Sequence, residues 1–505
     1  MPRARVSPVP VRVDRRSPVS LPAQLAVGVR DLVVTGVLAD GSRLPSTRAL
    51  ARELQVSRGV VEQAFDQLTA EGWLVGRRGA GTFVAAGAAT RSGVAPARAP
   101  RSRAGEAGGS GPVGAVVLDT GTPWIDPRHD AGWRRAWRDV AARVPSRRYP
   151  DPAGLPELRA AVAERLGRHR GLTCTPAEVL IVAGTTHGLG LMLDSAGAGA
   201  VALEDPGYRA AAATIRASGR DLVDVPVDAE GIDVSVLAGV PADLAAVYVS
   251  PAHQHPLGMT MSGPRRFALL QEARRRGCLV VEDDYDSEFR YDVAPLPAMA
   301  PLDRDRVVYL GTVSKTVSPA LRLGWLVSSA DRVQQLGLAR AARHDHPSEP
   351  VQQALLSMLE QGHVDRLVRS ARRVYARRRE LVRHRLAPYG DVAAGAAGMY
   401  LTLALPTSTA ARVAAQAASE GVVVSRLHAY CRTSSRDGLV IGFGGPTDGQ
   451  LERAVEVLER SLAERPSATR PGAPGRSPGG AQRAARGGLL ESSLRSVTME
   501  ARHLT

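Results

Sequence analysis

The sequence predicts an α/β protein in two parts, a small basic head and a large body whose apolar strands end in polar residues. Three observations carry that prediction. The 505 residues exceed the roughly 100–200 expected of one domain, and 44% of them are hydrophobic, enough for a sizeable core. Charge is unevenly placed. Of the net +15, residues 1–105 supply +9 (16 Arg against 7 acidic residues) and residues 465–505 supply +5 (7 Arg against 2 Glu), which leaves +1 between them. Finally, of 65 basic residues 64 are arginine and one, Lys315, is lysine.

Several classes are excluded at this level. No apolar run reaches the roughly 18 residues of a membrane span, so no membrane partner is expected. The first residues, MPRARVSPVPVRVDRRSP, form a basic arm (1–18) without an apolar signal core. Cys174, Cys278 and Cys431 are too far apart for a disulfide framework or a metal cluster. A cytoplasmic, metal-free protein is the expectation. Basic ends suit nucleic acid, because phosphate contacts release counterions; taken alone they serve solubility equally well.

The head spans 19–86. Leu25, Val29, Leu32 and Val33 give helical periodicity to 21–36. LPSTRALAREL then offers Ser46 or Thr47 as N-cap of a short helix ending near Leu54. A break at Gln55-Val56-Ser57 leads to a second helix, Arg58–Ala70, with Ser57 as its cap and Val60, Val61, Ala64, Phe65 and Leu68 as its buried stripe. Two helices across so tight a turn have helix-turn-helix spacing, and Arg58, Gly59 and Glu62 occupy the exposed first turn, where a recognition helix meets base edges. WLVGRRGAGTFV reads as strand, Arg-Gly hairpin, strand: a wing whose Arg77 and Arg78 can reach phosphates or a minor groove. Each helix alone would be an ordinary packed helix; the order of the elements is what points to DNA.

Residues 87–113 are Ala, Gly, Pro, Ser and Arg with almost no large apolar side chain, the composition of a flexible linker. Residues 465–505 have similar composition and read as a disordered basic tail. Between them lies the body, 114–464.

In the body EVLIVAGTTHGLG places Gly184, Thr185 and Thr186 at a strand-to-helix turn, GCLVVEDDYDSEF delivers Glu282 to Tyr285 beyond an apolar run, and RVVYLGTVSK delivers Thr312, Ser314 and Lys315. VALEDPGY and VYVSPAHQHPLG are two further strand-then-loop units. Open α/β sheets bind ligands beyond the carboxyl ends of their strands. In a chain that otherwise uses arginine, a retained lysine points to a primary amine that forms a Schiff base. Lys315 can hold pyridoxal phosphate as an imine, Asp283 can keep the ring nitrogen protonated, and Tyr285 can hydrogen-bond the phenolic oxygen. Gly184, Thr185 and Thr186 at a helix start can receive the phosphate, with Thr312, Ser314 and Arg322 as further donors. Other readings stand beside these: a metal site at 282–286, an ordinary turn at 184–186, a surface role for Arg322.

Two resemblances add to this. LPSTRALARELQVSRGVVEQAFDQLTAEGWLVGRRGAGTFV resembles the winged helix-turn-helix of GntR-type bacterial regulators, which implies DNA contact by Arg48, Ser57, Arg58 and Gly59, with Gly79 and Gly81 shaping the wing. YPDPAGLPELR, EDPGY, SPAHQHPLG, VVEDDYDSEF and GTVSKTVSPALRLGW resemble, in order, fold-type-I pyridoxal-phosphate enzymes of the aspartate aminotransferase kind, with a large and a small domain. That likeness implies Lys315 as the Schiff-base lysine, Asp283 as pyridinium partner, Tyr285 as phenolate partner and Tyr208 as the ring-stacking residue. It also implies Tyr149 reaching the phosphate of a neighbouring subunit, hence a dimer. Two departures are visible: His255 stands where such enzymes carry the Asn of Asn-Pro-x-Gly, and Val440 stands where many carry a carboxylate-clamping Arg, Arg426 and Arg436 lying off that position.

Joined in one chain, head and body resemble the MocR-type subfamily of GntR regulators. The resemblance implies a pyridoxal-phosphate-dependent regulator of a double-stranded DNA operator, a head-to-tail homodimer that senses a small amine or the cofactor itself through the Lys315 aldimine. The alternative is an active aminotransferase with an accessory DNA-binding head.

Overall fold

The structure is a computed structural model that describes residues 7–17, 19–77, 80–86, 114–126, 128, 130–291, 297–393, 395 and 397–464. The expected linker and tail, Arg78, Gly79 and the first six residues of the arm lie outside them. The chain divides into two compact units, 1–107 and 108–505.

In the first unit, α1 (Leu21–Val34) and α3 (Arg58–Ala70) pack together with α2 (Thr47–Glu53), and β1 (Leu74–Arg77) pairs antiparallel with β2 (Gly81–Val84). The helix expected to run to 36 ends at Val34, because Thr35 caps it and Gly36 turns left-handed with φ 75°. Ser46 caps α2, its hydroxyl accepting from the Ala49 N–H at 3.2 Å. Ser57 holds the N-cap position of α3, but its side chain makes no capping bond, contrary to expectation. Leu25, Val29, Leu50, Val61, Ala64, Phe65 and Leu68 form the core, whereas Val60, expected in the buried stripe, is only half-buried. The described part of the arm is built into this unit: Val9 is fully buried, and Val11 lies so close to Gly28 that a Cβ there would come within 2.6 Å of its methyl.

The second unit holds two sheets. A short strand β3 (Val116–Leu118) belongs to the smaller one. The larger runs β4 (Val179–Val182), β5 (Ala200–Asp205), β6 (Leu222–Asp228), β7 (Gly231–Ile232), β8 (Leu244–Val249), β9 (Leu279–Asp284), β10 (Val307–Thr312) and β11 (Gly324–Val327) in chain order, arranged β4-β11-β10-β9-β8-β5-β6-β7. β6, β5, β8, β9 and β10 are mutually parallel in that row, and β11 runs against both β10 and β4. β4, β5, β8 and β10 read as near-continuous apolar runs because a parallel sheet is covered on both faces. The smaller sheet adds β12 (Val392–Ala393), β13 (Tyr400–Ala404), β14 (Val422–Arg426) and β15 (Gly438–Gly442), ordered β12-β13-β15-β14-β3.

This topology positions the site. The carboxyl ends of β4, β5, β8, β9 and β10 meet on one edge of the large sheet, and the antiparallel β11 begins there. Gly311 and Gly324 let β10 and β11 close up: a Cβ on Gly324 would come within 2.4 Å of the Gly311 carbonyl.

Candidate cofactor pocket and nucleic-acid interface

Along that edge lies a cavity with about 770 Å³ of empty space, mouth included. It gathers Gly184, Thr185 and Thr186 after β4, Tyr208 after β5 and His255 after β8. Asp283 comes from β9, Tyr285 follows it, and Thr312, Ser314, Lys315 and Arg322 come from the β10–β11 connection. Eleven of the twelve residues expected to hold a cofactor therefore line one cavity. The twelfth, Tyr149, does not line it in this chain: it is 81% exposed, its ring 5.2 Å from that of His344.

Lys315 Nζ donates to the Gly121 carbonyl at 2.7 Å. Burial pushes its pKa down, so the neutral, nucleophilic amine is favoured relative to a lysine in water. The loop that accepts it is shaped by Asp119, whose carboxylate takes the N–H of Gly121 at 2.6 Å and of Thr122 at 2.7 Å.

Asp283 is 3% exposed and burial pushes its pKa up to about 7. Its Oδ2 accepts from the Tyr248 hydroxyl, while Oδ1 is buried and has no hydrogen-bond partner among the described residues. A buried carboxylate oxygen left bare is costly, and a cationic N–H donor in the cavity would satisfy it. The protonated ring nitrogen of pyridoxal phosphate is such a donor.

The other acids of 282–286 have partners of their own. Alternation along β9 turns Glu282 and Asp284 to the opposite face from Asp283. Glu282 accepts from the Met299 and Ala300 N–H groups at 2.8 and 3.2 Å, and Asp284 meets Arg170 at 2.6 Å and the Tyr309 hydroxyl at 2.5 Å. No group of three or more His, Cys, Asp or Glu among the described residues could hold a metal ion.

Gly184 caps the helix Thr185–Ser195 with φ 95°, and Arg322, itself left-handed at φ 48°, reaches back to donate to the Ala183 carbonyl at 3.0 Å. Thr312 Oγ1 bonds Ser314 Oγ at 2.9 Å. Backbone N–H groups at a helix start, two hydroxyls and a guanidinium together suit a phosphate. The residues present thus fit pyridoxal phosphate at both its charged ends.

Tyr285 is where unpredicted residues enter. Its hydroxyl lies 2.7 Å from that of Tyr400, 2.9 Å from the His253 carbonyl and 3.2 Å from His253 Nδ1, which in turn meets Asp286 at 2.8 Å. Gly398 leaves room for this imidazole, since a Cβ there would come within 2.1 Å of it. His255 packs edge-on against Tyr208, Tyr285, Tyr400 and Tyr430, and burial lowers its pKa to about 3, so it is a neutral imidazole. Tyr248 was foreseeable: it is the lone polar side chain of an apolar central strand, and a buried hydroxyl must find a partner. Thr120 and Gly121, also lining the cavity, carried only a turn signal in sequence.

The clamp position is empty of charge. Val440 is fully buried in β15; Arg426 is held by Asp437, and Arg436 donates to the Val227 carbonyl at 3.1 Å.

In the head unit, Arg48, Ser57, Arg58 and Gly59 are exposed around the turn between α2 and α3, where Gln55 adopts φ 53°. Arg58 pairs with Glu62 at 2.6 Å across one helical turn. Arg77 ends β1 with its guanidinium 4.9 Å from the Phe83 ring centre, and Gly81 takes φ 112° in the hairpin.

Family models match both parts: bacterial regulatory proteins of the gntR family over residues 22–84, and aminotransferase class I and II over 117–458. The chain is 33% identical to the pyridoxine biosynthesis transcriptional regulator PdxR of Corynebacterium glutamicum, over 90% of this chain and 99% of that one. It is 32% identical to a probable rhizopine catabolism regulatory protein, MocR, of Rhizobium meliloti, over 89% and 95%. This chain belongs to the MocR-type GntR regulators. Like them, this MocR-type protein carries a DNA-binding head on an aminotransferase-like body whose cofactor is pyridoxal phosphate. The body's fold matches an α-aminoadipate aminotransferase of Thermus thermophilus solved with a phosphopyridoxyl-leucine adduct (TM-score 0.62, 26% identity, 69% of this chain and 92% of that one). No helix among the described residues of this regulator is long and apolar enough to cross a membrane.

One consequence of the buried carboxylate is measurable without cofactor. The folded pKa of Asp283, about 7, lies above its unfolded value near 4. The folded state thus holds an extra proton in that window, and its stability falls as pH rises from about 4 to about 7. Urea unfolding of the cofactor-free protein at pH 5 and pH 7.5 should show a smaller pH-dependent loss in Asp283→Asn than in wild type. Equal losses would contradict the assignment of this charge.

Proposed function

We propose that this protein is a transcriptional regulator whose body holds pyridoxal phosphate on Lys315 and converts the arrival of a small amine, or of the cofactor itself, into altered binding of a double-stranded operator. The observation that carries this reading is one cavity holding both the chain's single lysine and a buried carboxylate oxygen that has no partner among the described residues.

When bound, pyridoxal phosphate supplies an aldehyde carbon that reacts with amines and a ring that withdraws electrons. The chain does the rest. Asp283 holds a proton at the ring nitrogen, steadied by Tyr248. Lys315 presents its amine, whose pKa burial lowers. Tyr285, beside Tyr400, would turn its hydroxyl proton from the His253 carbonyl to the phenolic oxygen, and Tyr208 and neutral His255 wall the ring without adding charge. Gly184, Thr185, Thr186, Thr312, Ser314 and Arg322 receive the phosphate. Tyr149, far out on the surface, serves the pocket of a second copy in a head-to-tail homodimer. In the head, Arg48, Ser57, Arg58, Gly59, Arg77 and Arg78 meet the DNA. The working division is arm 1–18, head 19–86, linker 87–113, body 114–464 and tail 465–505, acting in the cytoplasm at the nucleoid. Val440 in place of a clamping arginine disfavours the reading of a working amino-acid transaminase.

An effector can shift this equilibrium only through unequal affinity for the two states. Footprinting upstream of the protein's own gene, with and without pyridoxal phosphate, is the test. A discrete protected site that changes with the cofactor is expected; diffuse, salt-sensitive coating under both conditions would overturn the regulator reading.

A further inference from the structure

The N-terminal arm is more than a basic tail. From Ser7 its path is set at three points. The Ser7 N–H donates to the Arg43 carbonyl at 2.9 Å, Val9 is fully buried in the head core, and Val11 packs on Gly28. Gln24 on α1 then pins the following turn, its Oε1 accepting the Asp14 N–H at 2.8 Å and its Nε2 donating to the Asp14 carbonyl at 2.9 Å and the Val19 carbonyl at 2.6 Å. Asp14 in turn accepts the Arg16 N–H at 2.8 Å.

The residue presented between these anchors is Arg15. Its guanidinium donates to the carbonyl of Gln55, the left-handed residue at the turn between α2 and α3. That turn forms part of an open groove lined by Arg48, Arg52, Gln55 and Arg58. Arg15 thus makes a fourth exposed arginine in one place. Among the described residues only Arg58 of the four has a carboxylate partner, Glu62. A guanidinium has five N–H donors, and one bond to Gln55 leaves Arg15 others to offer.

We infer that Arg15 is a DNA-backbone contact of this protein, held by the arm against the helix-turn-helix turn so that it donates to a phosphate beside the first turn of α3. The inference rests on the head's binding of duplex DNA. Excess positive charge at the recognition end of α3 is complementary to a phosphodiester backbone. Because the arm is packed and doubly pinned, the contact forms with little loss of side-chain freedom. A phosphate contact carries no sequence information, so its loss should weaken all duplexes alike.

The test uses the full chain and two short duplexes, one from the region upstream of its own gene and one of random sequence, with affinity followed against salt concentration by fluorescence anisotropy. Arg15→Ala should weaken both by a similar factor, about three- to tenfold at low salt, the scale of one exposed charge-assisted hydrogen bond. The slope of log K against log salt should fall by about one. Arg15→Lys should keep the slope, and the thermal melts of all three proteins should coincide. An unchanged slope in Arg15→Ala beside a binding wild type would overturn the inference and leave the regulator reading standing. A loss confined to the upstream duplex would make Arg15 a base reader and overturn it too. A wild type with no salt-dependent affinity for either duplex would overturn both.

Discussion

Lys315→Ala should lose all covalent retention of pyridoxal phosphate: no visible imine band after gel filtration, and no label fixed in the body by borohydride. The expected effect is complete because no other side chain can stand in. The sequence contains one lysine, and labelled peptides separate it from an α-amine. Desolvation by its surroundings lowers the pKa of the amine, and its hydrogen bond to Gly121 holds it at the cavity wall. Lys315→Arg should behave in the same way, since a guanidinium keeps its proton and forms no imine. Asp283 and the other residues lining the cavity remain in either variant, so weak, non-covalent binding should persist and be lost on desalting. A band retained by Lys315→Ala would remove the lysine from the site.

Arg58→Ala should cost operator affinity by about 1–3 kcal/mol, the worth of a bidentate guanidinium–guanine contact. Arg58 starts the first turn of α3 with half its side chain exposed, and Glu62 one turn on holds the guanidinium at 2.6 Å. That pair is solvent-exposed and contributes little to stability, so the loss should be read in DNA binding and not in the thermal melt. Random-sequence DNA should lose much less than the operator, the opposite of the pattern expected for Arg15. Competition between the two duplexes in a gel-shift series gives the comparison directly. Equal losses on both would make Arg58 a backbone contact and leave base reading to other residues.

Much of this was legible in the sequence because the signals are local. The apolar period from Val61 to Leu68 and the break before Arg58 predict the bounds of α3 that the structure has, since helix ends depend on near neighbours. The cavity residues were legible for a related reason. Gly184, Asp283, Thr312 and Lys315 each follow an apolar run, and parallel strands bring their carboxyl ends to one edge.

What tertiary structure alone decided involves residues distant in the chain or signals without a period. Tyr285 and Tyr400 are 115 residues apart, and only packing β13 beside the large sheet's edge sets their hydroxyls 2.7 Å from each other. Asp283 and Tyr248 meet because β8 and β9 are neighbours, an adjacency that strand composition does not encode. Ser57 has the right type for a cap and stands at the N-cap position, yet its side chain makes no capping bond. The arm was read as charge, yet its alternating valines carry it into the head core, where Val9 loses all contact with water. Short-range preference writes the elements and the edge on which function gathers; which buried groups meet across that edge is settled by burial, where each polar atom withdrawn from water must find a partner wherever the fold supplies one.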